Sequence, residues 1–179
     1  MNLQTQRLEL IPATAELLHM ENDQPLALAT PLNALISGDW PPEEVRGALS
    51  FFADQMDAGV TGDGWVTYYW ITHSEGDCPP ILVGSGGFMS RPKSGAVEIG
   101  YGTLKRFQRR GYATEAVSAL TQWALSQQGT LRVVADALPE NAASVRVLQK
   151  TGFTEIGPGE EPGTRRFEIA ASPSHSLSD

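Results

Sequence analysis

The stretch Gln108-Arg109-Arg110-Gly111-Tyr112-Ala113 holds the residue types with the most legible chemistry in the chain. It falls between a segment of strand character and a segment of helix character. A turn that leaves a strand and enters a helix exposes backbone N–H groups with no intrahelical partner. Those donors, and the positive end of the helix dipole, suit an anion. Gly111 removes the Cβ that would hold a phosphate off the backbone, and Ala113 keeps the next turn narrow. Arg106, Arg109 and Arg110 concentrate positive charge here, in a chain of formal net charge −8. Taken alone, these residues describe either a phosphate site or a solvated arginine cluster. Such a cluster is more often solvated surface, and its place between a strand and an alanine-rich helix counts toward the phosphate site.

The elements around the turn follow from periodicity. Ala96–Thr103 reads as the strand that leads in. Gly111–Gln128 reads as the helix that leads out, with Ala113, Ala116, Val117, Leu120 and Ala124 on its buried face. Leu131–Ala135 is the next strand. Ala142–Thr151 is a second helix, with Val145 and Leu148 inward, Asn141 as a candidate N-cap and Gly152 as its stop. Phe153–Ile156 and Arg165–Ile169 form a closing hairpin. Upstream, Arg7–Ile11 alternates as a first strand stopped by Pro12, and Thr14 caps a short helix carrying Leu17, Leu18 and Met20. Val45, Ala48, Leu49, Phe52 and Met56 recur at helical spacing. Trp65–Thr72 and Ile81–Met89 are strands rich in aromatic and β-branched residues or in glycine. Asn22–Ser37 carries no clear pattern. Three consecutive strands imply antiparallel pairing, and strand–helix–strand implies one parallel crossover, so the fold class is mixed α/β.

At this point the chain resembles a known family. Gln108-x-x-Gly111-x-Ala113 matches the Q/R-x-x-G-x-G/A signature of GNAT-type N-acetyltransferases. Thr5-Gln6-Arg7-Leu8-Glu9-Leu10, Glu98-Ile99-Gly100-Tyr101, Tyr112-Ala113-Thr114-Glu115-Ala116, Asn141-x-x-Ser144 and Lys150-x-Gly152-Phe153 resemble, in order, segments of its ribosomal-protein alanine acetyltransferase branch. The match runs from about Thr5 to Ile169, weakest over Met20–Gly64. It implies one N-acetyltransferase domain over 1–171; the polar residues 172–179 read as a disordered tail. It further implies about seven largely antiparallel strands with one splayed parallel pair, flanked by about four helices.

The resemblance also implies roles. Acetyl-CoA is the acyl donor. Its pantetheine arm would pair with the strand end Tyr101-Gly102-Thr103, and its pyrophosphate would lie on the amides of Arg109, Arg110, Gly111, Tyr112, Ala113 and Thr114, with Gln108 opening the signature. Asn141 would lie beside the cofactor arm as well as capping its helix. An attacking amine must be neutral, so a general base is needed. Glu98 stands where several members carry a catalytic glutamate; the other reading of Glu98 is a solvated or salt-bridged side chain. Many members place a proton-donating tyrosine where this chain has Leu148. Ser144 is then the hydroxyl by pattern, with Tyr101 and Tyr112 as weaker alternatives, and its other reading is a small residue near a helix start. The expected reaction is direct attack by a primary amine in a ternary complex. The alternatives are a non-catalytic acyl-CoA sensor, or an interaction domain whose cofactor site is degenerate.

Composition narrows the partners. A hydrophobic fraction of 41% with 19% charged residues describes a globular chain rather than a disordered one. The negative charge argues against nucleic acid as a partner, and no run is apolar enough for a membrane span. Cys78 is the single cysteine, no signal segment is legible at the start, and cytoplasmic residence is the simplest expectation. His19, His73 and His175 lack ligand spacing, so no metal is expected. The acceptor stays open among a protein N-terminus, a small amine and an aminoglycoside-like compound. Trp40, Trp65, Tyr68 and Trp70 could wall its pocket but more often form core. Glu160 and Glu161 could attract a cation. The family habit of pairing through sheet edges or the terminal hairpin allows a homodimer.

Overall fold

Alternating and all-apolar segments of this chain place their side chains on both faces of one sheet, and helices close over each face. The computed structural model describes residues 1–171; the expected tail over 172–179 lies outside the described residues. In chain order the elements are β1 (Leu3–Gln4), β2 (Leu8–Pro12), α1 (Ala15–Asp23), α2 (Ala29–Leu32), α3 (Glu43–Arg46), α4 (Leu49–Asp57), β3 (Thr67–Thr72), β4 (Leu82–Phe88), β5 (Ala96–Thr103), α5 (Tyr112–Ser126), β6 (Arg132–Ala137), α6 (Ala142–Lys150), β7 (Thr154–Pro158) and β8 (Arg165–Ala170). The strands lie side by side as β1-β2-β3-β4-β5-β6-β8-β7. Among the described residues β5 and β6 are the one parallel pair of neighbouring strands; the other neighbours are antiparallel.

The count of eight strands exceeds the expected seven because β1, two residues long, pairs with Glu9 and Leu10 of β2. Six α-helices replace the expected four for two reasons. The apolar spacing from Val45 to Met56 is broken at Gly47–Ala48 into α3 and α4, and the unpatterned Asn22–Ser37 stretch contains α2 behind a 3-10 turn at Pro25–Leu28.

β3 and β4 are buried almost end to end, as expected of strands covered on both faces. On one face α5 brings Ala116, Val117, Leu120 and Ala124 against Val83, Val97, Ile99 and Leu148. On the other face Leu18, Leu28, Trp40 and Phe52 pack against Tyr69, Ile71 and Leu82. Each large aliphatic side chain buried in this way contributes roughly 1.5–3 kcal/mol. Trp40, Trp65, Tyr68 and Trp70 are all core, so they do not wall a pocket. Glu21, 1% exposed, sits inside the second core and accepts hydrogen bonds from Trp40 Nε1 (2.8 Å) and the Tyr69 hydroxyl (2.7 Å). Burial raises its pKa, and the two donors only partly oppose that shift.

Candidate active site

The parallel pair holds for three registers, Ala96 to Arg132, Val97 to Val133 and Glu98 to Val134. Beyond Glu98 the strands diverge, while β5 stays paired to β4 as far as Thr103. The edge of β5 from Ile99 to Thr103 therefore has no strand partner on the β6 side. Extended backbone of that kind offers N–H and C=O groups to an extended ligand.

The chain then crosses a 3-10 turn at Lys105–Phe107 and enters α5. Gln108 Nε2 donates to the Thr103 carbonyl at 3.1 Å, which ties the turn back to the strand. Arg109 has φ +60° and Gly111 has φ +84°, a left-handed conformation open to glycine and strained in most other residues. α5 starts without a side-chain cap. Its first intrahelical bond is Glu115 N–H to the Gly111 carbonyl, so the amides of Tyr112, Ala113 and Thr114 have no partner within the helix. Thr14 caps α1 and Asn141 caps α6, accepting from the Ser144 N–H at 3.1 Å, whereas α4, of the same length, starts like α5 without a side-chain cap.

These free groups converge on a cavity of about 620 Å³ between β5, α5 and α6. Its walls bring together Tyr101, Gly102, Thr103, Gln108, Arg109, Gly111, Tyr112, Ala113, Thr114, Asn141 and Ser144 from the expected set. Arg110 and Glu98 are outside it. The guanidinium of Arg110 stacks on Phe107, 5.5 Å from the ring centroid, and its carbonyl accepts from Arg7 Nη1 at 2.9 Å.

Inside the cavity the Tyr101 hydroxyl lies 3.0 Å from Ser144 Oγ and donates to the Ser144 carbonyl at 3.2 Å. Burial pushes the Tyr101 pKa up to about 12, against the opposing Ser144 hydrogen bond. The phenol is thus protonated at neutral pH and available as a donor. Leu148, which stands where the resemblance would place a tyrosine, is fully buried in the core.

Glu98 projects to the opposite face of β5, since its neighbours Val97 and Ile99 belong to the α5-side core. Its carboxylate meets Arg166 Nη2 at 3.2 Å. The same guanidinium bonds Asp136 at 2.7 Å and Glu160 at 2.8 Å. Burial raises the Glu98 pKa first, repulsion by Asp136 adds to it, and Arg166 opposes both.

The donor set fits a large anionic ligand with an extended arm. Unpartnered amides at a helix start, Arg109, and Arg146 and Lys150 on α6 face one cavity, and the freed strand edge runs out of it. Among the described residues no cluster of His, Cys, Asp or Glu could hold a metal ion, and no helix is long and apolar enough to cross a membrane.

Comparison with known proteins agrees with this geometry. Residues 7–154 match the model of the acetyltransferase (GNAT) domain. An N-acetyltransferase of uncharacterised function, YjdG of Bacillus subtilis, is 30% identical over 84% of this chain and 88% of its own. The chain belongs to the GNAT acetyltransferase family. It is an acyltransferase that depends on acetyl-CoA.

Solved GNAT structures share the fold. A ribosomal-protein-S5-alanine acetyltransferase from Vibrio fischeri superposes with a TM-score of 0.62 at 14% identity, covering 97% of this chain and 98% of its own. RimL, a ribosomal L7/L12 α-N-protein acetyltransferase solved with coenzyme A, superposes with a TM-score of 0.62 at 20% identity, covering 95% and 98%.

Sequence reasoning missed several residues of this GNAT site. Glu115, in the first turn of α5, accepts from Thr5 Oγ1 (2.6 Å), the Arg7 N–H (2.7 Å) and Arg7 Nε (2.7 Å). Burial pushes its pKa up, but those bonds and the Arg7 charge outweigh burial and hold it below the usual carboxylate range. Arg7 also lies over the Tyr112 ring, 4.8 Å from its centroid. The opening strand thereby clamps the start of α5. The signal was an acid in the first helical turn behind three arginines. Arg146 and Lys150 had a signal too: they stand four residues apart on a helix whose other face carries Val145 and Leu148.

Proposed function

We propose that this chain transfers the acetyl group of acetyl-CoA to a primary amine, a protein N-terminus or a small amine, by direct attack in a ternary complex. The observation that carries the reading is the uncapped start of α5 lying in one cavity with the freed edge of β5. In this reading the amides of Tyr112–Thr114 and the side chains of Arg109, Arg146 and Lys150 hold the phosphates. Tyr101-Gly102-Thr103 offers its backbone to the pantetheine arm, and Asn141 borders it while capping α6. Gln108 keeps the turn on the strand, and Arg110 lends its carbonyl to the Arg7 clamp. Bound acetyl-CoA supplies an acyl carbon already activated as a thioester, so no nucleophilic side chain is required. Ser144 and Tyr101 form a hydroxyl pair that supplies a proton to the departing sulfur. Glu98 acts as a base through intervening water, because its carboxylate is held by Arg166 away from the cavity.

Two considerations support an N-terminal α-amine as acceptor. RimL, a fold neighbour, is an α-N-protein acetyltransferase. In addition, an α-amine has a pKa near 7.7–8.0, so roughly a tenth of it is neutral at pH 7, whereas a lysine-type amine is almost wholly protonated. The test is incubation with acetyl-CoA and a panel of N-terminal peptides, polyamines and aminoglycosides. The readouts are free thiol and the mass of the acceptor. Thiol release that depends on a peptide, with the acetyl on its α-nitrogen, is the expected result. Saturable acetyl-CoA binding without transfer to any member of the panel contradicts it.

A further inference from the structure

α3 lies across β5 from α5 and α6, and between it and the end of β5 is a second recess of about 180 Å³. Two residues, Glu44 and Thr103, belong to the walls of both this recess and the larger cavity. Glu44 reaches that junction because residue 102 is glycine. A Cβ added to Gly102 would stand 3.0 Å from Pro42 Cβ and 3.3 Å from Glu44 Oε2, so the carboxylate rests close over the strand.

The other carboxylates of the recess have cationic neighbours, and among the described residues Arg46 has only a backbone acceptor. Asp39 pairs with Arg106 at 3.2 Å, and Glu43 approaches Lys105 at 3.7 Å. Arg46 donates to the Pro41 carbonyl at 3.1 Å. Among the described residues Glu44 makes no ion pair and no side-chain hydrogen bond. Thr103 borders both cavities at 8% exposure, and its hydroxyl, which strand alternation sends to the Tyr101 side, also has no partner. A buried hydroxyl without a partner costs free energy that a ligand would recover.

We propose that the recess is the approach of the acceptor, and that Glu44 receives its amine at the end of β5. This rests on the reading that the larger cavity holds acetyl-CoA. Donor and acceptor groups then flank one dipeptide of the strand. The Tyr101–Ser144 hydroxyl pair is on one face at Tyr101, and the Glu44 carboxylate is on the other at Gly102. The nitrogen lone pair forms the bond to the acyl carbon. The C–S bond breaks with its electron pair going to sulfur, which takes a proton from the hydroxyl pair. The bound ammonium first loses one proton through Glu44 to solvent, which frees the lone pair; the second proton, lost after attack, leaves by the same route, and solvent returns one to the hydroxyl pair. Glu98 is four residues back along the strand, about 13 Å at the usual rise, and serves only through water. The recess admits a chain end or a small amine, and its free carboxylate selects a cation.

An isosteric pair of unreactive probes tests this apart from turnover. S-(aminoethyl)-coenzyme A carries an ammonium where S-propyl-coenzyme A carries a methyl. By calorimetry the wild-type chain prefers the amino probe, and Glu44→Gln loses about fivefold in affinity for it while its affinity for the propyl probe is unchanged. Glu98→Gln keeps the preference. With an accepted amine, Glu44→Gln lowers kcat/KM about a hundredfold. An equal preference in wild type and Glu44→Gln overturns the assignment, as does a wild type that does not distinguish the probes. Failure of both probes to bind the wild type is a different result, and it sinks the acetyl-CoA reading of the larger cavity as well. Glu44 is exposed on a short helix, and an unchanged melting temperature confirms that the variant folds.

Discussion

The two faces of β5 are built from different materials. On the α5 side the ligand-facing groups are main-chain amides, a freed strand edge and a few cations, drawn mostly from Tyr101–Thr114 and Asn141–Lys150. On the α3 side the polar groups are side chains, carboxylates and a few cations. Glu21 is held by Trp40 and Tyr69, and Glu44 lies over Gly102. A surface of backbone donors suits a ligand common to many enzymes, because it depends on conformation more than on side-chain identity. A surface of side chains suits whatever one enzyme must select. The difference teaches where to look for conserved chemistry in this molecule and where to look for specificity.

The largest effect that would break the comparison is at Gly111. With φ +84° and Arg7 Nη2 3.2 Å from an added Cβ, Gly111→Val forces the α5 turn to rearrange. Acetyl-CoA affinity should fall at least a hundredfold by calorimetry, the amides being the site itself. Equal affinity for the two proteins would show that backbone geometry does not make this face.

On the other face the expected loss is in stability. Glu21→Leu leaves the Trp40 N–H and Tyr69 hydroxyl buried without acceptors and should cost about 3 kcal/mol in urea denaturation. Glu21→Gln keeps an acceptor and should cost far less. The raised pKa of Glu21 fixes a sign. Its contribution is most favourable below the usual carboxylate pKa and is lost as pH rises through the higher folded value. Glu21→Gln should therefore lose less stability than wild type between mildly acidic and neutral pH.

A smaller effect is expected for Tyr101→Phe, which removes the buried phenol from the Ser144 pair. It should lower kcat about tenfold to a hundredfold and leave the acetyl-CoA Kd nearly unchanged. A loss confined to Kd would make the pair structural instead.

The smallest is Glu115→Gln, which loosens the clamp of the opening strand on α5 and should cost about 1–2 kcal/mol at neutral pH. Its folded pKa is lowered, so the stabilisation is present above the usual carboxylate range and lost as pH falls through the lowered value. The gap between variant and wild type should close in acid. A gap that persists there would put the effect in packing rather than charge.

The same contrast explains what could be read from the residues alone. β5 was legible to its ends, Ala96 and Thr103, and α5 to within two residues, because long periodic segments carry their own signal. The phosphate turn was legible because strand, glycine and alanine-rich helix follow one another directly. Tyr101 and Ser144 stand 43 residues apart, and Glu98 and Arg166 stand 68 apart. No local pattern joins them. α2, α3 and the turn at Pro25–Leu28 are single turns whose form depends on tertiary packing more than on propensity. Pro12, expected to stop the strand at Ile11, is instead the last residue of β2. β1 covers only Glu9 and Leu10, so one edge of the strand is free at Pro12, where a missing N–H costs no ladder bond.

The central claim is that the uncapped start of α5 and the freed edge of β5 together hold acetyl-CoA. Amide hydrogen exchange with and without saturating acetyl-CoA tests it most directly. Slowed exchange in peptides covering Ile99–Thr103 and Tyr112–Thr114 together, with the α1–α4 region unchanged, is the predicted result. Saturation that leaves those two segments unprotected, or protects a different part of the sheet, would contradict it.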